Sequence, residues 1–282
     1  MYAHELYARI EKDIIKPQQS DKWFSYMEEV SRFICDNFKK RSIGLVCDNS
    51  EKIKKIYTPV FPTDHAMRFV IEKGKRDVLL FTHHPMKWNI EKQPPFQNMN
   101  KYLLKKLKDK KISVYNLNVP LDNFSEYSTS LTLSKAIGIN PIKPFGQYFG
   151  ALCGVFGDAE FKTVDELSAM FKEILGHKTS LYNYGDIEIR DGIIAVIAGG
   201  GNDIEMLKEV AKQNVNTLVT GITACNDYSK PAHEYARQNK INILGGTHYS
   251  TEKFACIAMC NYFKKIGIKS EFINGAPNFK DL

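Results

Sequence analysis

Residues 78–85 read Val-Leu-Leu-Phe-Thr-His-His-Pro, an apolar run that ends in two adjacent histidines and a proline. The apolar part predicts a buried strand, and Pro85 disfavours a helical backbone at His84. Neighbouring side chains on a strand point to opposite faces, so His83 and His84 can diverge at its end. Each could then serve a different metal ion, or one could bind a metal ion and the other a substrate. Alternatively, one histidine packs in the core while the other is solvated.

The segments around this strand alternate between strand and helix, which predicts an α/β fold. Short apolar runs typical of strands are separated by longer runs with helical spacing. This order favours a largely parallel sheet whose neighbouring strands are connected by helices. In the first half we expect strands at 43–46, 56–60, 77–82 and 112–116, helices at 4–15, 23–38, 65–73, 101–111 and 128–137, and a loop at 86–99.

The second half continues this alternation and is predicted to form a second lobe. Pro141 and Pro144 mark the boundary, which gives lobes of residues 1–145 and 146–282. The predicted class is therefore an α/β protein of two lobes with mixed or parallel sheets. In the second half we expect strands at 149–156, 215–220 and 242–244, a hairpin of 187–189 with 192–198, and helices at 163–175, 204–213, 233–238 and from the late motif to 263.

The composition indicates a globular protein and gives a weak indication of its partners. Hydrophobic residues make up 43% of the 282-residue chain and charged residues 25%, which is ordinary for a soluble domain. No apolar run approaches the ~20 residues that span a bilayer, so we expect a cytoplasmic protein without a membrane partner. The six cysteines show no CxxC spacing and are expected to be reduced thiols. The net charge of +7 suits an anionic small-molecule substrate or a weak nucleic-acid surface.

Three consecutive glycines, at 199–201, follow a predicted strand and precede a helix. A strand that ends in glycines before a helix can hold a phosphate group with its backbone N–H groups. The same glycines can equally mark a tight turn, because no complete nucleotide-binding pattern surrounds them. Among the other histidines, His233 could line the pocket from the second lobe, but a position at the surface of its helix is favoured.

Five side chains that follow predicted strands form the candidate site. His248 and Glu252 are four residues apart at the start of a helix, so they share one face and can bind one metal ion. His83, His84 and Asp122 also lie just after strands, where an α/β fold places its ligands. Three imidazoles and two carboxylates suit two divalent ions with a bridging carboxylate. Such a pair activates water in hydrolases of phosphate esters, amides or cyclic amidines.

The same residues carry a resemblance to a known family. The run at 78–85, the Leu-Asp at 121–122 and the Gly-Gly-Thr-His-Tyr-Ser-Thr-Glu at 245–252 resemble three signatures of the Nif-three-like proteins. These are also called dinuclear metal-centre proteins or GTP cyclohydrolase I type 2 homologues. The likeness keeps the same order over nearly the whole chain. It implies two α/β lobes with a metal pair between them, and a ring-shaped homohexamer that encloses a cavity.

By position in these signatures, the resemblance also implies the metal ligands and two departures from the family pattern. The ligands would be His83, His84, Asp122, His248 and Glu252. Asn118 stands where the family often has a histidine near the metals, which questions a proton-shuttling role at that position. Ile222 stands where an acidic residue commonly follows Thr-Gly.

Two functions are consistent with these residues. The first is a hydrolase that uses two divalent ions per chain (zinc, iron or manganese) and metal-activated water on a phosphate-bearing or nucleotide-like small molecule. Glu252 or Asp122, if loosely coordinated, would be the catalytic general base. The alternative is a metal-binding interaction protein that docks other proteins or single-stranded nucleic acid without catalysis. No stripe of aromatic and basic residues of the kind that stacks bases is visible in the sequence.

Overall fold

The computed structural model describes every residue except Gly74, and the chain divides into two compact units. Unit 1 comprises residues 1–121 and 256–275, and unit 2 comprises residues 122–255 and 276–282. Each unit contains one main β-sheet together with helices, which confirms the predicted α/β class with mixed sheets. None of the helices among the described residues combines the length and the apolar character that a membrane span requires.

Strands and helices alternate along most of the chain. In chain order the strands are β1 (Gly44–Cys47), β2 (Lys55–Tyr57), β3 (Val78–Thr82), β4 (Lys87–Trp88), β5 (Phe96–Gln97), β6 (Ile112–Asn116), β7 (Asn140–Tyr148), β8 (Ala151–Asp158), β9 (Ser180–Tyr182), β10 (Ile193–Ile197), β11 (Thr217–Thr220), β12 (Asn242–Gly245) and β13 (Lys269–Glu271). The α-helices are α1 (Ala3–Ile14), α2 (Asp36–Arg41), α3 (Asp64–Glu72), α4 (Lys101–Asp109), α5 (Val119–Asp122), α6 (Thr129–Ala136), α7 (Val164–Leu175), α8 (Ile204–Lys212), α9 (Lys230–Gln238) and α10 (His248–Lys265). Short 3-10 helices cover Trp23–Tyr26, Glu28–Phe33, Arg190–Gly192 and Phe279–Asp281.

The sheet of unit 1 has the strand order β1-β6-β3-β2-β13. All its neighbours are parallel except β1 and β6, which are antiparallel. All five residues of β3 are buried, which explains why this strand reads as a continuous apolar run rather than an alternating one. Thr82 at the end of β3 pairs with Asn116 at the end of β6. The segments that follow these two strands therefore begin at the same edge of the sheet.

Residues 23–38 do not form the single α-helix that their apolar spacing predicts. They form two 3-10 helices and the beginning of α2. Ile34 and Cys35 are extended, and the Cys35 N–H donates to the carbonyl of Val46 at 2.9 Å. A backbone group bonded to β1 in this way cannot continue a helical ladder. The apolar spacing still identifies buried core positions, which are Trp23, Met27, Val30, Ile34 and Phe38.

The sheet of unit 2 has the strand order β7-β8-β10-β11-β12-β9. Its three central strands, β10, β11 and β12, are parallel, and the outer strands are antiparallel to their neighbours. Pro141 and Pro144 lie within β7, an edge strand, where a missing N–H removes no bond to a further strand.

The units differ in extent from the predicted lobes 1–145 and 146–282. Residues 122–139 belong to unit 2, whose apolar core includes Leu133 and Ile137 of the α6 region, and β7 pairs with β8. The segment that contains β13 belongs to unit 1, because β13 pairs with β2. Local spacing does not predict the pairing of β13 with β2, because these two strands are far apart in the chain.

The predicted hairpin of 187–189 with 192–198 is wrong. β10 pairs with β8 on one side and with β11 on the other. Residues 187–189 run beside the start of α7, where the carbonyl of Ile187 accepts a hydrogen bond from the Val164 N–H at 2.9 Å. The Asp-Gly turn is present as a 3-10 helix, but the same turn residues serve hairpins and longer connections alike.

Candidate metal centre

The two adjacent histidines are held at the end of β3 by their backbone. The N–H groups of His83 and His84 both donate to the carbonyl of Val60, at 3.1 and 3.0 Å. Their exposed fractions are 0% and 4%. Neither histidine is solvated, so the alternative of one packed and one solvated histidine is wrong.

The hydrogen bond of His83 fixes the tautomer of its ring. Nδ1 lies 2.9 Å from the carbonyl oxygen of Leu117, the residue that follows β6. A carbonyl only accepts, so Nδ1 carries the proton and the lone pair lies on Nε2. Metal-binding histidines commonly show this arrangement, in which one nitrogen is bonded to a carbonyl and the other binds the ion.

His84 is oriented by aromatic rings and by Asn118. Its ring stacks on Phe61 with centroids 4.7 Å apart and meets the edge of Trp23 at 5.7 Å. The amide nitrogen of Asn118 lies 3.0 Å from Nδ1 of His84, while the buried amide oxygen of Asn118 has no hydrogen-bond partner among the described residues. Exchanging these two amide atoms lets the oxygen accept from Nδ1–H, and the lone pair of His84 then lies on Nε2. Asn118 is thus placed to orient His84.

In unit 2, the first turn of α10 carries the second pair of predicted ligands. Nε2 of His248 lies 3.1 Å from Oε1 of Glu252, and both side chains are buried. Their shared face agrees with the spacing of four residues. A buried carboxylate beside an imidazole offers an oxygen and a nitrogen donor of the kind that zinc, iron and manganese accept.

The glycine run at 199–201 allows the backbone to pass close to Glu252. Gly199 has a φ of +72°, and a Cβ at this position would lie 2.3 Å from Oε1 of Glu252. Its N–H donates to Oγ1 of Thr251 at 3.0 Å. A Cβ on Gly201 would lie 2.7 Å from the side chain of Ile197. Close packing therefore explains both glycines without a phosphate group.

Asp122 lies at the end of α5 and is half-buried. Its Oδ1 accepts a hydrogen bond from the hydroxyl of Thr129 at 2.8 Å. Burial raises the pKa of the Cys153 thiol to about 12, and the charge of Asp122 adds to this shift. Asp122 therefore lies near enough to Cys153 for its negative charge to disfavour the thiolate.

Each unit contains a buried pair of side chains of the kinds that bind metal ions. In unit 1 the pair is His83 and His84, and in unit 2 it is His248 and Glu252. Imidazole and carboxylate donors, with the His83 tautomer set by a carbonyl, suit borderline-hard divalent ions. The roles of these four residues and of Asp122 as metal ligands stay predictions.

Sequence reasoning misplaced or missed several groups. His233 is buried rather than at the surface, with Nε2 bonded to the carbonyl of Thr223 at 3.0 Å and Nδ1 to the hydroxyl of Tyr184 at 3.1 Å. Burial lowers the pKa of His233. The Asp281 carboxylate accepts from the His248 N–H at 2.9 Å, and no local pattern signals this contact. The sequence does not indicate the close approach of Gly199 to Glu252.

Comparison with known proteins identifies the family. The model of the Duf34/NIF3 (NGG1p interacting factor 3) family matches residues 21–278. The chain belongs to this family. The Duf34/NIF3 chain is 26% identical over 242 residues to the GTP cyclohydrolase 1 type 2 homolog of Pyrococcus abyssi, covering 83% of this chain and 90% of that protein. It is 27% identical over 264 residues to the protein of the same name from Archaeoglobus fulgidus, covering 89% and 99%.

The fold of this Duf34/NIF3 chain is also found among solved structures. The structure of protein ybgI, described as of unknown function, matches with a TM-score of 0.77 at 20% identity. The match covers 99% of this chain and 100% of ybgI. At this identity the likeness shows the shared fold, which agrees with the α/β class predicted from the sequence.

Proposed function

We propose that this Duf34/NIF3 protein is a divalent-metal-dependent hydrolase that acts on a phosphate-bearing or nucleotide-like small molecule. The observation that carries the proposal is the burial of His83 with His84 in unit 1 and of His248 with Glu252 in unit 2. Burying imidazoles and a carboxylate is costly unless they are paired or bind a metal ion. Soluble proteins rarely bury such a set for packing alone, so a metal ion is the occupant that this chemistry favours.

The full ligand set that we propose adds Asp122 to these four residues and holds two ions. Zinc, iron and manganese all suit imidazole and carboxylate donors. When bound, a metal pair lowers the pKa of a coordinated water and stabilises charge on the leaving oxygen. The remaining tasks belong to the side chains: Glu252 or Asp122, if loosely coordinated, accepts the proton of the attacking water.

The groups around the histidines support this assignment. The carbonyl of Leu117 and the amide of Asn118 hold the rings of His83 and His84 in fixed orientations. The aromatic rings of Phe61 and Trp23 flank His84 and limit the access of water to it. Such partners of metal ligands typically change metal affinity by about 10–100-fold when they are removed.

The proposed substrate class rests on the net charge of the chain and on the names of its relatives. The net charge of +7 favours an anionic molecule. The relatives from Pyrococcus abyssi and Archaeoglobus fulgidus are named GTP cyclohydrolase 1 type 2 homologs, which extends the proposal to nucleotide-like substrates. The proposal does not extend to opening of the guanine ring, because the sequence shows no purine-reading motif.

The first test is metal content per chain, measured by elemental analysis on protein purified without chelator. We expect about two transition-metal ions, lost in the His83→Ala/His84→Ala double variant and kept in His65→Ala, which changes an exposed histidine of unit 1. If the wild type holds one ion per chain and the double variant holds none, the site binds a single metal ion. No ion in the wild type, even after incubation with zinc or manganese, would reject the proposal.

Turnover then separates the two candidate functions. Metal-dependent hydrolysis of phosphate esters or nucleotides, abolished by the double variant, supports the hydrolase. Salt-dependent binding of single-stranded oligonucleotides or capture of a protein, without turnover of any compound in the screen, would support the interaction protein instead. We also propose that the chain assembles as a homohexamer, and light scattering coupled to size-exclusion chromatography measures its mass directly.

A further inference from the structure

The start of α10, which carries His248 and Glu252, is held by groups from elsewhere in unit 2. The first residues of a helix have backbone N–H groups without partners inside the helix. In α10, the N–H of Ser250 donates to the hydroxyl of Thr247 at 3.2 Å, so Thr247 acts as a local cap. The N–H of His248 donates instead to Oδ2 of Asp281, at 2.9 Å.

Asp281 is an unusual partner because its side chain is buried. Its exposed fraction is 0%, and a buried carboxylate is unfavourable unless charge or hydrogen bonds compensate for lost hydration. The N-terminus of an 18-residue helix supplies both, since the helix dipole favours a negative charge at this end. The carboxylate therefore stabilises the helix at the residue that carries a predicted metal ligand.

The backbone of Asp281 is itself fixed. Its carbonyl accepts from the N–H groups of Thr223 and Ala224, at 2.7 and 2.8 Å, just after β11. Its N–H donates to the carbonyl of Asn278 at 3.0 Å, which closes the 3-10 helix Phe279–Asp281. The carboxylate is thus presented to α10 from a rigid position.

The same 3-10 helix reaches a second support of α10. The ring of Phe279 meets His177 edge-on at 5.4 Å. Nδ1 of His177 donates to the carbonyl of Lys178 at 2.7 Å, so its Nε2 accepts from the hydroxyl of Ser250 at 2.6 Å. That hydroxyl in turn accepts from Thr247 at 2.8 Å. In this chain of hydrogen bonds Thr247 donates to Ser250, Ser250 to His177, and His177 to the carbonyl of Lys178. The chain connects the first turn of α10 to the segment that follows α7.

We propose that Asp281 is a positioning residue for the metal ligands of α10, and that Phe279 with His177 supports it. Asp281 holds the backbone at His248, and the bond from Ser250 to His177 keeps the turn between His248 and Glu252 in place. This inference rests on the proposed metal site, because it concerns how that site is held. In this proposal Asp281 acts through the backbone of His248 and not as a metal ligand.

The test measures zinc affinity on chelator-treated full-length protein by competition with a chromophoric chelator. We expect Asp281→Ala to weaken zinc binding by about 10-fold or more. Asp281→Asn, which keeps an acceptor oxygen, should recover most of the affinity. Phe279→Ala, at a side chain with 42% exposure, should show a smaller loss. Asp227→Ala, which changes an exposed carboxylate of unit 2, is the matched control and should bind zinc like the wild type.

Hydrogen exchange of the amides in the first turn of α10 provides a readout that does not depend on metal. Asp281→Ala should speed this exchange at temperatures where the protein stays folded, whereas Asp227→Ala should not. Unchanged zinc affinity together with unchanged exchange in Asp281→Ala would overturn the inference. Failure of the wild type to bind either zinc or manganese would reject the proposed function, and the exchange data would still decide whether Asp281 holds the start of α10.

Discussion

Replacing Gly199 by alanine should destabilise the protein and disturb Glu252. The backbone at Gly199 has a φ of +72°, and the added Cβ would lie 2.3 Å from Oε1 of Glu252. A left-handed conformation costs an alanine about 1–2 kcal/mol, and overpacking a buried site costs about 1–3 kcal/mol more. The carbonyl of Gly199 also accepts from the N–H groups of Gly221 and Ile222, at 2.9 and 2.8 Å, so the turn cannot easily shift. We expect a loss of about 2–5 kcal/mol in the free energy of unfolding.

Gly200 provides the matched control for this substitution. It is exposed, and the nearest atom to an added Cβ is a methyl group of Ile222 at 3.7 Å. Gly200→Ala should therefore change the free energy of unfolding by less than about 0.5 kcal/mol, or stabilise slightly by restricting the unfolded chain.

Urea unfolding of chelator-treated protein compares the two variants without a contribution from bound metal. Zinc binding is then measured on the folded variants. Gly199→Ala should bind less zinc than Gly200→Ala, because the carboxylate of Glu252 is displaced. Equal stability and equal zinc content in the two variants would refute the close approach of residue 199 to Glu252.

Three further predictions concern the histidines and their partners. His84→Ala and Glu252→Ala should each lose at least one metal ion per chain while keeping a wild-type circular dichroism spectrum, and full metal content in either would contradict the ligand assignment. Asn118→Leu should weaken zinc binding by about 10-fold, whereas Asn118→Asp, which can only accept from Nδ1–H of His84, should bind at least as tightly as the wild type in chelator competition. Because burial lowers the pKa of His233 below its usual value of 6.5, the unfolded chain takes up a proton first as the pH falls. The free energy of unfolding should therefore decrease as the pH falls below about 6.5. If the urea midpoint of His233→Gln has the same pH dependence as that of the wild type, His233 is not the cause of this decrease.

Some features of this protein followed from local sequence alone. The apolar run at 78–82 predicted a buried strand because a strand covered on both faces needs apolar side chains at every position. The spacing of His248 and Glu252 placed both on one helical face, since residues four apart are neighbours on a helix. The alternation of strand and helix predicted the α/β class, because these periodicities are properties of short segments.

Tertiary structure decided the rest. The 23–38 segment has helical spacing, but a hydrogen bond from Cys35 to β1 interrupts the helix. β10 pairs with β8 and β11 rather than with residues 187–189, and β13 joins β2 from the far end of the chain. Local residues set the preference for a strand, but contacts among distant residues choose its partner.

The candidate metal centre shows the same division. The sequence by itself indicated the candidate ligands His83, His84, His248 and Glu252, because their side-chain chemistry and their positions near strand ends can be recognised in short motifs. Only the tertiary structure decided that His233 is buried, that Gly199 lies against Glu252 and that Asp281 caps the helix of His248. The contacts of these three residues join positions that are distant in the chain. They form only on folding, so no local sequence pattern predicts them.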